Sequence, residues 1–258
     1  MTDSMMSRQE DLKHRLERVQ QRIAQASADA GREKAPQLIV VSKFFPASDV
    51  RILHELGINE FGENKDQEAA AKSAELTDLP LHWHFIGQLQ SNKAKSVVRY
   101  ATMVHSVDRA SLVKALDRAM VREIDAAHES GQPARAHLEV LIQVDFGEEF
   151  PSEDAVTQEG SGAQRGGVVP QEIDALAGAI AATQHLTLRG LMTVAPLGAE
   201  PQEVFARLRE EVDQLSAKYP EATIMSAGMS HDLESAVAAG ATHLRIGSDV
   251  LGPRPAVR

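Results

Sequence analysis

The chain has 258 residues, 43% of them apolar and 25% charged, and a formal net charge of −10. That charge argues against nucleic acid as the main partner, which wants a basic face, and the lack of cysteine excludes disulfides and thiolate metal sites. The polar N-terminus has no signal-peptide core and no run is long and apolar enough to span a membrane, so a cytoplasmic protein is expected.

Taken in order, Ser7-Arg8-Gln9-Glu10 fits a capping box. Leu12, Leu16, Val19, Ile23 and Ala26 then recur at helical spacing, with Gly31 as a stop. From Leu38 a strand-then-helix rhythm begins. Candidate strands are 38–43, 59–64, 82–87, 103–108, 137–146, 188–195, 222–227 and 242–247. Helical patterns lie between them at 47–56, 66–76, 91–101, 110–129, 170–183, 201–218 and 230–239. Near-continuous apolar runs such as Val140-Leu141-Ile142 mark a parallel sheet covered on both faces. Eight such units predict one α/β domain over 1–258, a (β/α)8 barrel of the TIM type, with a doubly wound open sheet as the alternative. Little chain follows the last strand, so the helix within 1–31 is expected to pack on the barrel and cover the place of a final helix. The stretch 147–167, acidic and then rich in Ser, Gly and Gln, has no periodicity and reads as a mobile loop at the mouth.

Three places can carry chemistry. Lys43 ends the first strand; it is either a lysine that snorkels to water or, if it points into the barrel mouth, a desolvated amine poised to trap a carbonyl. Ser226-Ala227-Gly228-Met229-Ser230 follows strand 7, with Ser230 a natural N-cap. Arg245-Ile246-Gly247-Ser248 ends strand 8. Barrels often hold phosphate in the loops after strands 7 and 8, but ordinary turn chemistry explains the same residues. His82 and His84 stand two apart on strand 3 without a partner to complete a metal site, so they read as wall or core residues and no metal is expected. Asp108 and Asp145 read as caps, and Met192 as packing at the mouth.

These motifs resemble a known family. Val41-Ser42-Lys43, Phe61-Gly62-Glu63-Asn64 with Gln67-Glu68, His84-Phe85-Ile86-Gly87 with Leu89-Gln90 and Asn92-Lys93, Arg189-Gly190-Leu191-Met192, Ser226 to Ser230 with Asp232, and Arg245-Ile246-Gly247 are similar to the pyridoxal phosphate homeostasis proteins, the YggS-like or PROSC-like group. The resemblance runs in order from about residue 12 to 252. It implies a single barrel like the N-terminal domain of alanine racemase, with pyridoxal 5'-phosphate bound covalently to Lys43 as a Schiff base. It implies Asn64 beside the cofactor, His84 and Met192 lining the pocket, and Ser226, Gly228, Met229, Gly247 and Ser248 holding the phosphate. Arg245 would face the pyridine nitrogen. The sequence departs from the family in its longer loop after strand 5, in Arg165 where a lysine is usual, in Lys65 where tyrosine is common, and in Ser248 where threonine is frequent.

The expected function follows: a protein of vitamin B6 homeostasis that buffers pyridoxal phosphate or delivers it to apo-enzymes, without turnover. Arginine stays charged and only donates hydrogen bonds, which leaves the ring a poor electron sink. The second base of a racemase, a tyrosine from a further domain, has no counterpart; Tyr100 and Tyr219 fall in or beside helical patterns. A monomer is expected. The rivals are a weak one-base racemase or lyase using Lys43, and a barrel aldolase using Lys43 on a sugar phosphate without the vitamin.

Overall fold

Eight short parallel strands close on one another in sequence order: β1 (Gln37–Val41), β2 (Glu60–Glu63), β3 (His82–Phe85), β4 (Ala101–Val107), β5 (Leu138–Val144), β6 (Leu186–Thr193), β7 (Ile224–Ser226) and β8 (His243–Ile246). The structure is a computed structural model and describes residues 7–131, 137–151 and 166–254. Closure is made by β1 against β8, with Gln37 opposite His243 and Val40 opposite Ile246. The (β/α)8 barrel is the expected fold, and the open sheet is excluded by this pairing.

The helices are α1 (Arg8–Asp29), α2 (Ala47–Glu55), α3 (Asp66–Glu75), α4 (Ala94–Tyr100), α5 (Ala110–Glu129), α6 (Ile173–Ala181), α7 (Pro201–Lys218), α8 (Leu233–Ala238) and α9 (Ser248–Leu251). α5 and α7 begin and end where the periodicity puts them. Most differences lie at strand ends: Lys43, Asn64, Gly87 and Asp108 fall past the last paired residue and belong to the turns at the mouth. Short 3-10 turns replace the first residues of two expected helices, at Ser91–Lys93 and Pro170–Glu172. The expected helix at 230–239 starts only at Leu233, with Asp232 as its N-cap, so Ser230 is not the cap. Of the expected loop, 152–165 lie outside the described residues, Arg165 among them; beyond it Val168 pairs back onto the end of β5, through its own N–H and that of Asp145.

The main core lies between the sheet and the helices, where Phe61, Phe85, Phe146 and Phe205 are fully buried. A second, smaller cluster fills part of the barrel interior: Met103, Leu141, Met192 and Ile224. Side chains alternate across a strand, so the interior also receives Glu60, His84, His105, Ser226, His243 and Arg245.

α1 opens with the capping box: the Ser7 hydroxyl accepts from Glu10 N–H while the Glu10 carboxylate accepts from Ser7 N–H. Its buried stripe is Leu12, Leu16, Val19, Ile23, Ala26 and Ser27. At its start Arg8 grips the Asp49 carboxylate of α2 with two nitrogens, at 3.1 and 2.6 Å, and donates to Leu251 O. Further along, Arg22 pairs with Glu234 of α8 and Asp249 of α9. Thus α1 lies against α2, α8 and the four-residue helix that follows β8.

Removing residues 1–33 should lower the melting temperature or the solubility, because the apolar faces under α1 would be exposed. Within the full chain, Leu16→Ala should cost about 2–5 kcal/mol in urea unfolding. An unchanged midpoint in both would mean that α1 is not part of the folded unit.

Candidate functional site

Lys43 sits in a strained turn at the end of β1. Phe45 N–H closes the turn on Ser42 O at 3.0 Å, and Phe44 between them has φ 72°, a left-handed conformation rare for a non-glycine residue. The strain is held by a buried clamp on the outer face of the sheet. Lys72 of α3 donates to Ser42 O (2.7 Å), to Glu63 Oε1 (2.7 Å) and to Glu68 Oε1 (2.8 Å). The Ser42 hydroxyl donates to Glu63, and Glu68 accepts the N–H of Phe44. With Ser42 turned outward to this clamp, Lys43 shares its parity with Ile39 and Val41 and faces the mouth. Burial lowers the Lys43 amine below its ordinary value, Arg254 adds to this, and Glu63 and Glu68 oppose it.

A cavity of about 360 Å3 opens there, within the range of small-molecule sites. Lys43, Asn64, Met229, Arg245, Gly247 and Ser248 all line it, and Ser230 joins them. The Asn64 amide oxygen is buried and has no hydrogen-bond partner among the described residues. Gly87 on the same wall is required by space: a Cβ there would lie 2.2 Å from Asn64 O. Ser248 and Ser230 bring their hydroxyls to 3.2 Å of each other. In the short α9 the N–H groups of Val250 and Leu251 both donate to Gly247 O, at 3.1 and 2.9 Å. Exposed apolar side chains, Phe44, Val194 and Met229, stand at the rim.

Arg245 is buried and lies beneath this cavity, and no carboxylate among the described residues is in contact with it. Its guanidinium donates to Ser226 Oγ (2.7 Å) and Thr193 O (2.8 Å). Burial lowers its pKa to about 10, Asp232 opposing, so it remains charged at neutral pH.

Three expected site residues are placed elsewhere. His84 is in the barrel interior, between Glu60 Oε2 (2.7 Å) and His105 Nε2 (2.9 Å), and it lines a different cavity of about 550 Å3 at the N-terminal mouth. Met192 is 1% exposed in the interior apolar cluster. The Ser226 hydroxyl is buried between His105 and Arg245 and does not line the mouth cavity. Strand parity explains all three, since each points inward below the level of the mouth. Gly228 does not line the cavity; its φ of 91° makes the turn that delivers Met229 and Ser230. The N–H of Met229 is taken by Asp232 at 2.6 Å, so Met229 offers its side chain. His82 and His84 both bind Glu60, one on each oxygen, as wall and core residues. No group of three His, Cys, Asp or Glu among the described residues has the geometry of a metal site. Ser230 as a lining residue, the Lys72 clamp and the Glu60–His84–His105 chain were missed from sequence; the last was visible in the shared parity of polar residues on neighbouring strands.

A closed parallel barrel with a lysine amine at the end of β1 and hydroxyl-bearing turns after β7 and β8, all lining one cavity at the C-terminal mouth, places the chain in the class of TIM-type barrels with a small-molecule-sized site at that end. Comparison with known proteins agrees in kind. The model of the alanine racemase N-terminal domain matches residues 11–255, and the chain belongs to the pyridoxal phosphate homeostasis proteins within that family. The protein of that name from Mycobacterium tuberculosis is 40% identical over 96% of this chain and 94% of its own. PipY of Synechococcus elongatus, solved with pyridoxal phosphate bound, superposes with a TM-score of 0.72 at 34% identity, over 93% of this chain and all of PipY. Alanine racemase from Corynebacterium glutamicum shares the fold, with a TM-score of 0.61 at 17% identity, over 96% of this chain and 62% of its own.

Lys72→Met should leave the Glu63 charge buried and unpaired and release the turn that carries Lys43. A loss of about 3–5 kcal/mol in chemical denaturation is expected, and a loss below 1 kcal/mol would show that the clamp is not structural. The interior histidines predict a pH dependence. Burial, then His84, holds His105 far below its ordinary value, and burial, then His84, Lys34 and Arg245 against Glu60, brings His243 to about 4. The unfolded chain binds protons on both below about pH 6.5, so the stability they contribute is complete above that pH and is lost as the pH falls. His243→Asn should shrink the loss between pH 7 and pH 4 by about 3 kcal/mol, read from urea midpoints at each pH.

Proposed function

We propose that this chain binds pyridoxal 5'-phosphate in the mouth cavity, holds it as a Schiff base on Lys43, and serves vitamin B6 homeostasis by storing the cofactor and passing it to apo-enzymes without turnover. One observation carries the reading: a desolvated lysine amine, a buried arginine donor and two serine hydroxyls beside glycine line a single cavity. The relatives' name and the PipY complex support it. The residues present fit the group. Asn64 offers a buried amide oxygen that lacks a partner among the described residues. At Gly247 the backbone runs close to β1, where a Cβ would meet Val41 O at 3.2 Å, which keeps the Ser248 turn beside the Lys43 turn.

In this reading the Ser230 and Ser248 hydroxyls hold the phosphate, and Met229 and Asn64 form the walls. The cofactor supplies an aldehyde for an amine and an electron-withdrawing ring. Arg245 only donates and stays charged, so it holds the ring nitrogen as an acceptor and leaves the ring a weak electron sink. That disfavours carbanion chemistry and thus turnover. The two tyrosines stand away from this chemistry: Tyr100 donates to Asp66 outside the barrel, and Tyr219 caps the end of α7. The protein works in this reading as a cytoplasmic monomer, its apolar rim open to the enzymes it supplies. Among the described residues no helix is long and apolar enough to cross a membrane.

The test is an absorption spectrum with the vitamin before and after borohydride, followed by mass mapping. A near-visible band that borohydride abolishes, with the adduct on Lys43 and no band in Lys43→Ala, is expected. An adduct on another residue, or none, overturns the site. Steady conversion of L- to D-alanine above that of free cofactor overturns the non-enzymatic part.

A further inference from the structure

The barrel interior holds a continuous chain of hydrogen bonds from one mouth to the other. Arg245 donates to Ser226 Oγ at 2.7 Å; Ser226 Oγ lies 2.9 Å from His105 Nδ1; His105 Nε2 lies 2.9 Å from His84 Nδ1; His84 Nε2 lies 2.7 Å from Glu60 Oε2. His105 and Ser226 are fully buried, His84 nearly so, and only Glu60 is partly open, to the N-terminal cavity.

The direction of every bond follows from its two ends. Arginine can only donate, so Ser226 accepts from it and turns its own proton to His105 Nδ1. A carboxylate can only accept. Burial raises Glu60, but hydrogen bonds from His84 and His82 outweigh this and keep it ionised at neutral pH. His84 therefore donates from Nε2 and accepts at Nδ1, and His105 donates from Nε2 and accepts at Nδ1. The two ends meet without conflict, with one proton on each ring. A second proton on His84 would turn His105 around and leave the Ser226 proton without an acceptor.

We propose that Glu60, His84, His105 and Ser226 are positioning residues: a polarised relay that orients Arg245 toward the mouth cavity and links its buried charge to a counter-charge at the opposite mouth. The ligand-facing half of this proposal rests on the reading that the cavity takes pyridoxal phosphate, whose ring nitrogen Arg245 would meet; the relay itself does not. A buried arginine without a carboxylate in contact needs such a link, because an isolated buried charge is costly. Each neutral member gives its proton toward Glu60, so every dipole along the chain is aligned to stabilise both ends.

Two experiments separate the relay from the cofactor reading. Nitrogen-15 NMR of histidine-labelled protein without the vitamin should show His84 and His105 both neutral with the proton on Nε2 at pH 7.5. A proton on Nδ1 of either ring, or a charged ring, overturns the relay whatever the protein binds. In the second, Ser226→Ala removes the oxygen that Arg245 and His105 share. Affinity for pyridoxal phosphate should fall by about tenfold, the worth of one hydrogen bond to a charged group. Affinity for 1-deazapyridoxal phosphate, which has carbon in place of the ring nitrogen, should stay within about twofold of the native protein's. Ser226→Thr, which keeps the hydroxyl, should restore most of the difference between the two ligands. Equal losses for both ligands would mean that Ser226 shapes the cavity rather than aiming Arg245. If neither ligand binds the native protein, the cofactor reading fails while the NMR result still decides the relay.

Discussion

The pairing of β1 with β8 is the constraint on which the site depends. It sets Val40 against Ile246, near opposite ends of the chain. The turn bearing Lys43 and the turn bearing Gly247 and Ser248 thereby become neighbours, close enough that a Cβ on Gly247 would press on Val41 O at 3.2 Å. Without closure the amine and the hydroxyls would share no cavity. α1 supports that seam from outside, since Arg8 and Arg22 reach α2, α8 and α9, the helices that flank the two closing strands.

The barrel interior is unusual in its chemistry. TIM-type barrels usually fill with layers of branched apolar side chains. Here one interior cluster is apolar, and a polar column runs past it from Glu60 to Arg245. Such a column is tolerated only when its members satisfy one another, because low polarity around them raises the penalty for every unmet group. Outside the sheet, Lys72, Glu63, Glu68 and Ser42 form a second buried polar system that holds the strained Phe44 turn. One system fixes the backbone that carries the amine from outside the sheet, and the other fixes the guanidinium beneath the cavity. Both place rigid support under a mouth whose rim stays apolar and open.

Much of this was legible in the chain. The alternation of apolar strands with helical stripes determined the (β/α)8 barrel, because strand and helix periods are local properties. The capping box determined the start of α1, and Lys43, Asn64, Gly247 and Ser248 were recognisable as residues at strand ends, with Arg245 in the last strand itself. Only the tertiary structure decided depth. His84, Met192 and Ser226 sit on the right strands but below the mouth, because parity and register, not residue type, set how far along the barrel a side chain projects. Only closure could show that Glu60, His84, His105, Ser226 and Arg245, scattered over five strands, touch in one line: hydrogen bonds between strands depend on shear and register, which no single strand encodes.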